Sequence, residues 1–382
     1  MKLAVIFPEK LPLKKARAIS VINTAAALSK IVDTTLIIPN TSLSKGELEN
    51  FYQVDLKKLK ILYLKNKFFG IVSNKIFNCH LLKFLSNYDV FYVRHLKSAQ
   101  FLIKHKKPWQ KVVFEVHEIF SESLKEERPE ALKKIEKLKK LETFVYENSD
   151  ALVFINKTVK KFLGKFFDIK NKPKEVIYLS VNFSPPFVQK NFSYINEIYY
   201  CGSLYKWKGV EIAIKAFSMF KDKSLCLKII GGTDNKIKDL KRFSQKLGVE
   251  KQIEFIPFLP PPQIEKILLN KAKLTLIPNI KSIHNYFSFP LKMLEYMATS
   301  NIVIAADTPV IKEIIKDGLN GFLFKTGDAN SLRAVLEKVL SLPPYKLEEV
   351  ARDAYETAKN FTYENRAKKI IEFCEKIKNE KR

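Results

Sequence analysis

Short runs of β-branched and aliphatic residues alternate along this chain with longer segments whose apolar positions recur at helical spacing, the order that builds parallel sheets covered by helices. LAVIF (3–7) predicts a first strand. A basic loop then leads into VINTAAALSK (21–30), and TTLIIP (34–39) follows as the next strand, so the chain opens with a βαβ unit. VFYVR (90–94), KVVFEVH (111–117) and ALVFI (151–155) continue the series, with a Lys- and Glu-rich helix over 123–148 between the last two. The pattern stops after residue 177, where Pro185 and Pro186 block both helix and central strand. A second series follows: IYYCGS (198–203), LCLKIIGG (225–232), IEFIPF (253–258), KLTLIP (273–278) and NIVIAA (301–306). The pattern therefore predicts an α/β chain with one domain over 1–185 and another over 186–382. Two such domains put a ligand cleft between them, at the carboxyl ends of the strands.

A length of 382 residues suits two domains that each bury a core, and 46% hydrophobic with 12% aromatic residues excludes wholesale disorder. Charge changes the picture more. Lys and Arg number 67 against 40 Asp and Glu, a net +27, which calls for a polyanionic neighbour: nucleic acid, an anionic membrane surface or a phosphorylated substrate. Up to Lys190 the excess is +17, and 51–111 carries 13 basic residues against Asp55 and Asp89 alone. An anionic contact is expected there. Cys79, Cys201, Cys226 and Cys374 form no C-x-x-C pair, which leaves zinc ribbons and disulfide frameworks without support and points to a reducing compartment. The opening MKLAVIFPEK holds too short an apolar run for a signal peptide. No run approaches the roughly 18 residues that cross a bilayer. The expected location is cytoplasmic, soluble or peripheral on the inner face of the cell membrane.

The densest chemical signal is NYFSFPLKMLEYMATSNIVIAADTPVIKEII (285–315). Pro290 suits the first position of a helix, which leaves the N–H groups of Leu291 and Lys292 pointing out of the helix start, a natural seat for a phosphate. Glu295 follows a little over one turn later. Its carboxylate either accepts hydrogen bonds from two sugar hydroxyls or simply complements the helix dipole. The second signal is YYCGSLYKWKGVEIAIKAF (199–217), a strand running into Gly202 and a basic loop that ends in Lys208-Gly209 before a helix. Gly202 admits a close ligand, and Lys208 offers a cation beside the same seat. Neither the dinucleotide fingerprint nor the P-loop pattern is present.

Together these segments resemble the donor domain of family-4 retaining glycosyltransferases. Gly202-Ser203-Leu204 with Lys208-Gly209 is similar to the family's G-R-x-x-x-x-K-G loop, FPLKMLEYMA to its S-P-L-K-x-x-E-Y-M-A helix, and FEVHEIF (114–120) to the segment with its active-site histidine. The resemblance runs to about residue 361. It implies the GT-B fold, two Rossmann-like domains facing each other across a central cleft, the first binding the acceptor and the second the donor, with the last helix packing back on the first. It further implies that Lys208, Gly202, Ser203, Leu291 and Lys292 hold the diphosphate of a UDP- or GDP-sugar, that Glu295 takes the ribose, and that His117 sits beside the transferred sugar. No separate cofactor is implied. Three departures stand out: Ser203 replaces an Arg on the diphosphate, Phe287 replaces the first of two paired glutamates eight residues before Glu295, and Ser300-Asn301 replaces Gly-Lys after the helix.

Among the five histidines, His80, His95, His105, His117 and His284, no pair has metal spacing, and D-x-D is absent, which argues against a metal site. A histidine at a strand end is often structural, and the resemblance is what favours a catalytic His117. Arg17 and Arg94 sit at loop positions from which each reaches a sugar or acceptor or else serves as a surface charge. Phe287, standing where the resembling family has its sugar-contacting glutamate, is the third expected sugar or acceptor contact. The tracts 65–77 and 160–170 interleave Lys with Phe, as an ordinary amphipathic surface, an interfacial membrane helix or a single-strand binder does. Neither tract belongs to a recognisable nucleic-acid module, so a glycan or lipid-linked acceptor at an anionic membrane is expected before nucleic acid. The expected activity is transfer of a sugar with retention of configuration in envelope glycan or glycolipid synthesis. The alternatives are an inactive nucleotide- or glycan-binding protein and a nucleotide-sugar epimerase on the same fold.

Overall fold

The structure is a computed structural model and describes residues 1–13, 15–68, 71–182, 186–220, 222 and 224–379. Pro185, where the sequence places the interdomain connection, lies outside the described residues, as do parts of the 65–77 tract. The chain divides into two compact units, Met1–Ser180 with Tyr363–Arg382, and Val181–Thr362.

In the first unit, β1 (Lys2–Ile6), β2 (Asp33–Pro39) and β3 (Lys60–Leu64) precede a short hairpin, β4 (Lys67–Phe68) with β5 (Ile71–Val72). Strands β6 (Val90–Val93), β7 (Lys111–Val116), β8 (Ala151–Phe154) and β9 (Lys174–Val176) follow. Seven of them form one sheet in the order β3-β2-β1-β6-β7-β8-β9, and every pairing in it is parallel. Strands β1, β6, β7 and β8 are buried along nearly their whole length, as expected of strands covered on both faces. The order reverses between β1 and β6, so the loops after these strands splay apart and leave a crevice at their carboxyl ends. Arg94 and His117 follow β6 and β7 there.

The helix Tyr363–Asn379 lays Ala367, Ile370, Ile371, Cys374 and Ile377 into the same core as Leu3, Val5, Ile22 and Val113. The last helix thus belongs to the first unit.

The second unit contains β10 (Glu197–Cys201), β11 (Cys226–Ile230), β12 (Ile253–Ile256), β13 (Leu274–Ile277), β14 (Ile302–Ala306) and β15 (Phe322–Phe324). They form a second parallel sheet, β12-β11-β10-β13-β14-β15, reversing between β10 and β13. Among the described residues no helix is long and apolar enough to cross a membrane.

Candidate functional site

The second unit gathers its candidate groups beside the β10/β13 reversal. After Cys201 the chain turns at Gly202 (φ +145°), and the Tyr200 hydroxyl donates to the Ser203 carbonyl at 2.6 Å, holding the turn. Lys292 reaches this turn from the following helix. Its ammonium stands 3.8 Å from the centre of the Tyr200 ring, a cation–π contact, and a Cβ added at Gly202 would lie 2.7 Å from its Nζ. Gly202 is therefore glycine both for its backbone angle and for the space the lysine occupies.

Lys292 Nζ is buried, and no described residue hydrogen-bonds it. Burial, then repulsion from the Lys208 charge, pulls its pKa down to about 7. Lys208 ends the short turn Lys206–Lys208, and burial brings its own pKa to about 8. The turn is pinned by Asn285, whose amide donates to the Trp207 carbonyl at 2.6 Å and to the Ile280 carbonyl at 2.8 Å. Gly209 closes it at φ +69°, where a Cβ would stand 1.8 Å from the Pro278 carbonyl oxygen. Only glycine fits after Lys208.

The helix Leu291–Ala298 starts one residue later than the sequence predicts. Pro290 has an extended ψ of 94° and is the residue before the helix rather than its first member. No side chain caps this start, so the Leu291 and Lys292 amides have no side-chain acceptor. The Cys201 amide donates to the Tyr296 hydroxyl at 2.8 Å, which ties the helix to the end of β10 and fixes where Glu295 projects. Glu295 keeps an exposed surface, yet loss of hydration raises its carboxyl above the ordinary value, against the pull of Lys292.

Phe287 is a correction to the expected sugar contact: its side chain is wholly buried and offers a ligand no surface. Ser300 adopts φ +57°, the left-handed turn for which Gly is the usual choice. Asn301 accepts the buried Lys190 ammonium at 2.7 Å.

Two ammonium groups that lose protons near neutrality, with an uncapped helix start beside them, make a site for a doubly charged anion. An anion binds the protonated lysines, so its affinity is expected to be greatest below pH 7 and to fall as pH rises from about 7 to 9. Calorimetry with UDP or GDP in buffers of different ionisation enthalpy checks this, since binding near pH 8 should take up protons.

The first unit holds the other candidates. His117 follows β7, and its Nε2 is hydrogen-bonded to Oε1 of Glu115. Glu115 is buried; its Oε2 accepts from the Tyr92 hydroxyl and from Nη2 of Arg366. Burial would raise this carboxyl, but the charge of Arg366, with the hydrogen bond from His117, outweighs it and holds Glu115 well below the usual carboxylate range. Burial and the nearby Arg94 bring His117 down to about 4, so the ring is neutral at pH 7. Arg94 is itself lowered by burial, with Glu115 opposing the shift. Arg17 is held by the Glu9 carboxylate, with Nε donating at 2.7 Å, and both side chains keep about a third of their surface. Residue-by-residue reading singled out neither Glu115 nor Arg366. A carboxylate inside the apolar run KVVFEV was the available signal for the first, since a buried charge demands a partner.

Among the described residues no three His, Cys, Asp or Glu side chains gather as a metal ion would need.

Comparison with known proteins adds a family to this geometry. Residues 187–368 match the family described as glycosyl transferases group 1. An uncharacterized glycosyltransferase of Methanocaldococcus jannaschii is 23% identical over 244 residues, 59% of this chain and 60% of that protein. The O-antigen chain mannosyltransferase RfbU of Salmonella typhimurium is 25% identical over 189 residues, half of each chain. The matches thus span 60% and 50% of these relatives' lengths. Among solved structures, Anabaena Alr3699/HepE in complex with UDP superposes with a TM-score of 0.75 at 16% identity, over 98% of this chain and 100% of that one. The shared architecture is two parallel-sheet α/β domains of the GT-B kind.

Proposed function

We propose, from the match of residues 187–368 to the glycosyl transferases group 1 family, that the protein moves a sugar from a UDP- or GDP-sugar to a hydroxyl of a glycan or lipid-linked acceptor, with retention of configuration. The observation that carries this reading is the buried Lys292 ammonium, without a hydrogen-bond partner among the described residues and repelled by Lys208. A buried cation costs free energy unless an anion completes it, and two of them match a diphosphate.

In the reaction the bond from the sugar's anomeric carbon to the diphosphate oxygen breaks, and one to the acceptor oxygen forms on the same face. The acceptor proton passes to the departing β-phosphate, and a nucleoside diphosphate leaves. Charge growing on that phosphate is met by Lys208, Lys292 and the amides of Leu291 and Lys292, which are already aimed before reaction begins and need no metal ion. Glu295 takes the ribose hydroxyls, and His117 lies beside the sugar. The UDP bound by HepE and the mannosyltransferase activity named for RfbU support a nucleotide-sugar donor.

The acceptor side falls to the first unit. The net charge of 51–111, Arg94, and the tilted ring pair Phe162 and Phe166 among Lys160, Lys161 and Lys165 support a phosphorylated lipid or glycan at an anionic membrane surface.

Nucleotide release from a panel of UDP- and GDP-sugars, with and without membrane extract, tests the proposal. Binding of nucleotide with no release from any donor would select the alternative of a binding protein, which Ser203 and the buried Phe287 favour. His117→Ala is expected to slow transfer by about a hundredfold while nucleotide affinity stays within twofold. Single-turnover rates beside equilibrium binding separate the two effects.

A further inference from the structure

The buried cluster around Glu115 has a role that the donor site does not explain. Glu115 accepts three hydrogen bonds: from the Tyr92 hydroxyl on β6, from Arg366 on the C-terminal helix, and from His117 Nε2 at the end of its own strand. Arg366 is fixed in turn, since its Nη1 donates to the Ile177 carbonyl at 2.8 Å and to that of Tyr178. A carboxylate only accepts, so the His117 nitrogen facing it must carry the proton. The other ring nitrogen, Nδ1, has no hydrogen-bond partner among the described residues.

We infer that Glu115 and Arg366 are positioning residues that hold His117 as the neutral Nε2–H form, so that its Nδ1 accepts a hydrogen bond from a sugar hydroxyl and is not a cation for phosphate. The groups that decide this come from every element around the ring. Arg94 after β6 and Arg366 from the C-terminal helix oppose a second positive charge, and Glu115 favours one. Glu9 and Arg17 after β1 act on Arg94. Arg366 matters because it engages the carboxylate that would otherwise stabilise an imidazolium. A neutral ring with an open lone pair repels a phosphate oxygen and welcomes a hydroxyl. His117 thus sorts ligand groups by chemistry, leaving the diphosphate to Lys208 and Lys292. No proton leaves or joins the ring.

This inference rests on the proposal that His117 lies beside the transferred sugar, and its test has a readout that needs no turnover. In ¹⁵N-labelled full-length protein at pH 7, ring correlations of the five histidines are recorded, and His117 is identified by its absence from His117→Asn. A protonated Nε2 with an unprotonated Nδ1 is expected. In Glu115→Gln the ring should sample both neutral forms, and the transfer rate should fall by about tenfold with the donor KM within twofold. In Arg366→Gln the His117 midpoint, and with it the acid limb of the transfer rate, should move up by on the order of one pH unit. A protonated Nδ1 in the wild type overturns the inference, as does an unchanged His117 signature in a folded Glu115→Gln protein. Should Arg366→Gln fail to fold, the other two arms still decide. Absent turnover with the expected ring form would remove the transferase reading and leave the positioning of His117 standing; turnover with the opposite ring form would do the reverse.

Discussion

Exchanging Lys208 for Ala and Lys292 for Met in one chain should weaken UDP or GDP binding by a factor on the order of 10³, because each lost charge-assisted hydrogen bond removes about 1.5–3 kcal/mol. Lys292 stands against the Gly202 turn within reach of the Lys208 charge, and it has no hydrogen-bond partner among the described residues. The single Lys292→Met change carries a second signature. It removes a buried ammonium that is poorly hydrated in the free protein, so the melting temperature should rise by about 2–4 °C even as affinity falls. Titration calorimetry and thermal unfolding, each with and without nucleotide, measure the two effects. Equal affinity in the double variant and the wild type would put the phosphates elsewhere.

Arg366→Leu is expected to cost the first unit about 3–5 kcal/mol, since it leaves the Glu115 carboxylate charged, buried and deprived of its guanidinium. Arg17→Ala is the control. Its ion pair with Glu9 is partly open to water, and about 1 kcal/mol is the most it should lose. Replacing Glu115 and Arg366 together by leucine should recover only part of the loss, because the unpaired carboxylate is gone but Arg94, the Tyr92 hydroxyl and His117 lose the group they face. Denaturant unfolding followed by a probe in the first unit gives all three values. A cost below 1 kcal/mol for the single change would mean that water reaches Glu115.

The two strand series were legible because parallel strands buried on both faces carry almost unbroken apolar runs, as in ALVF and IVIAA. Strands that gave no such run escaped notice. β3 (KILYL) and β9 (KEV) lie at sheet edges, where one side is open to lysine, and β15 is only three residues long. Lys208 and Gly209 were readable as neighbours because the glycine is demanded by the Pro278 carbonyl against it. Arg366 was not readable. It sits on an amphipathic helix whose other charges face water, and its partner lies 251 residues away, so nothing local separates it from a surface arginine. Phe287 was read against a glutamate of the resembling family, and only its burial revealed that the apolar interior had claimed the position.

The helix Tyr363–Asn379 closes a core whose other members were made more than 180 residues earlier. On the ribosome the order of completion is therefore reversed from the usual one. The Val181–Thr362 unit is contiguous and can settle as soon as it emerges, while the older unit waits with Leu3, Ile22 and Val113 short of one wall until the final segment arrives. During that wait the greasy side of the nascent sheet is a task for chaperones.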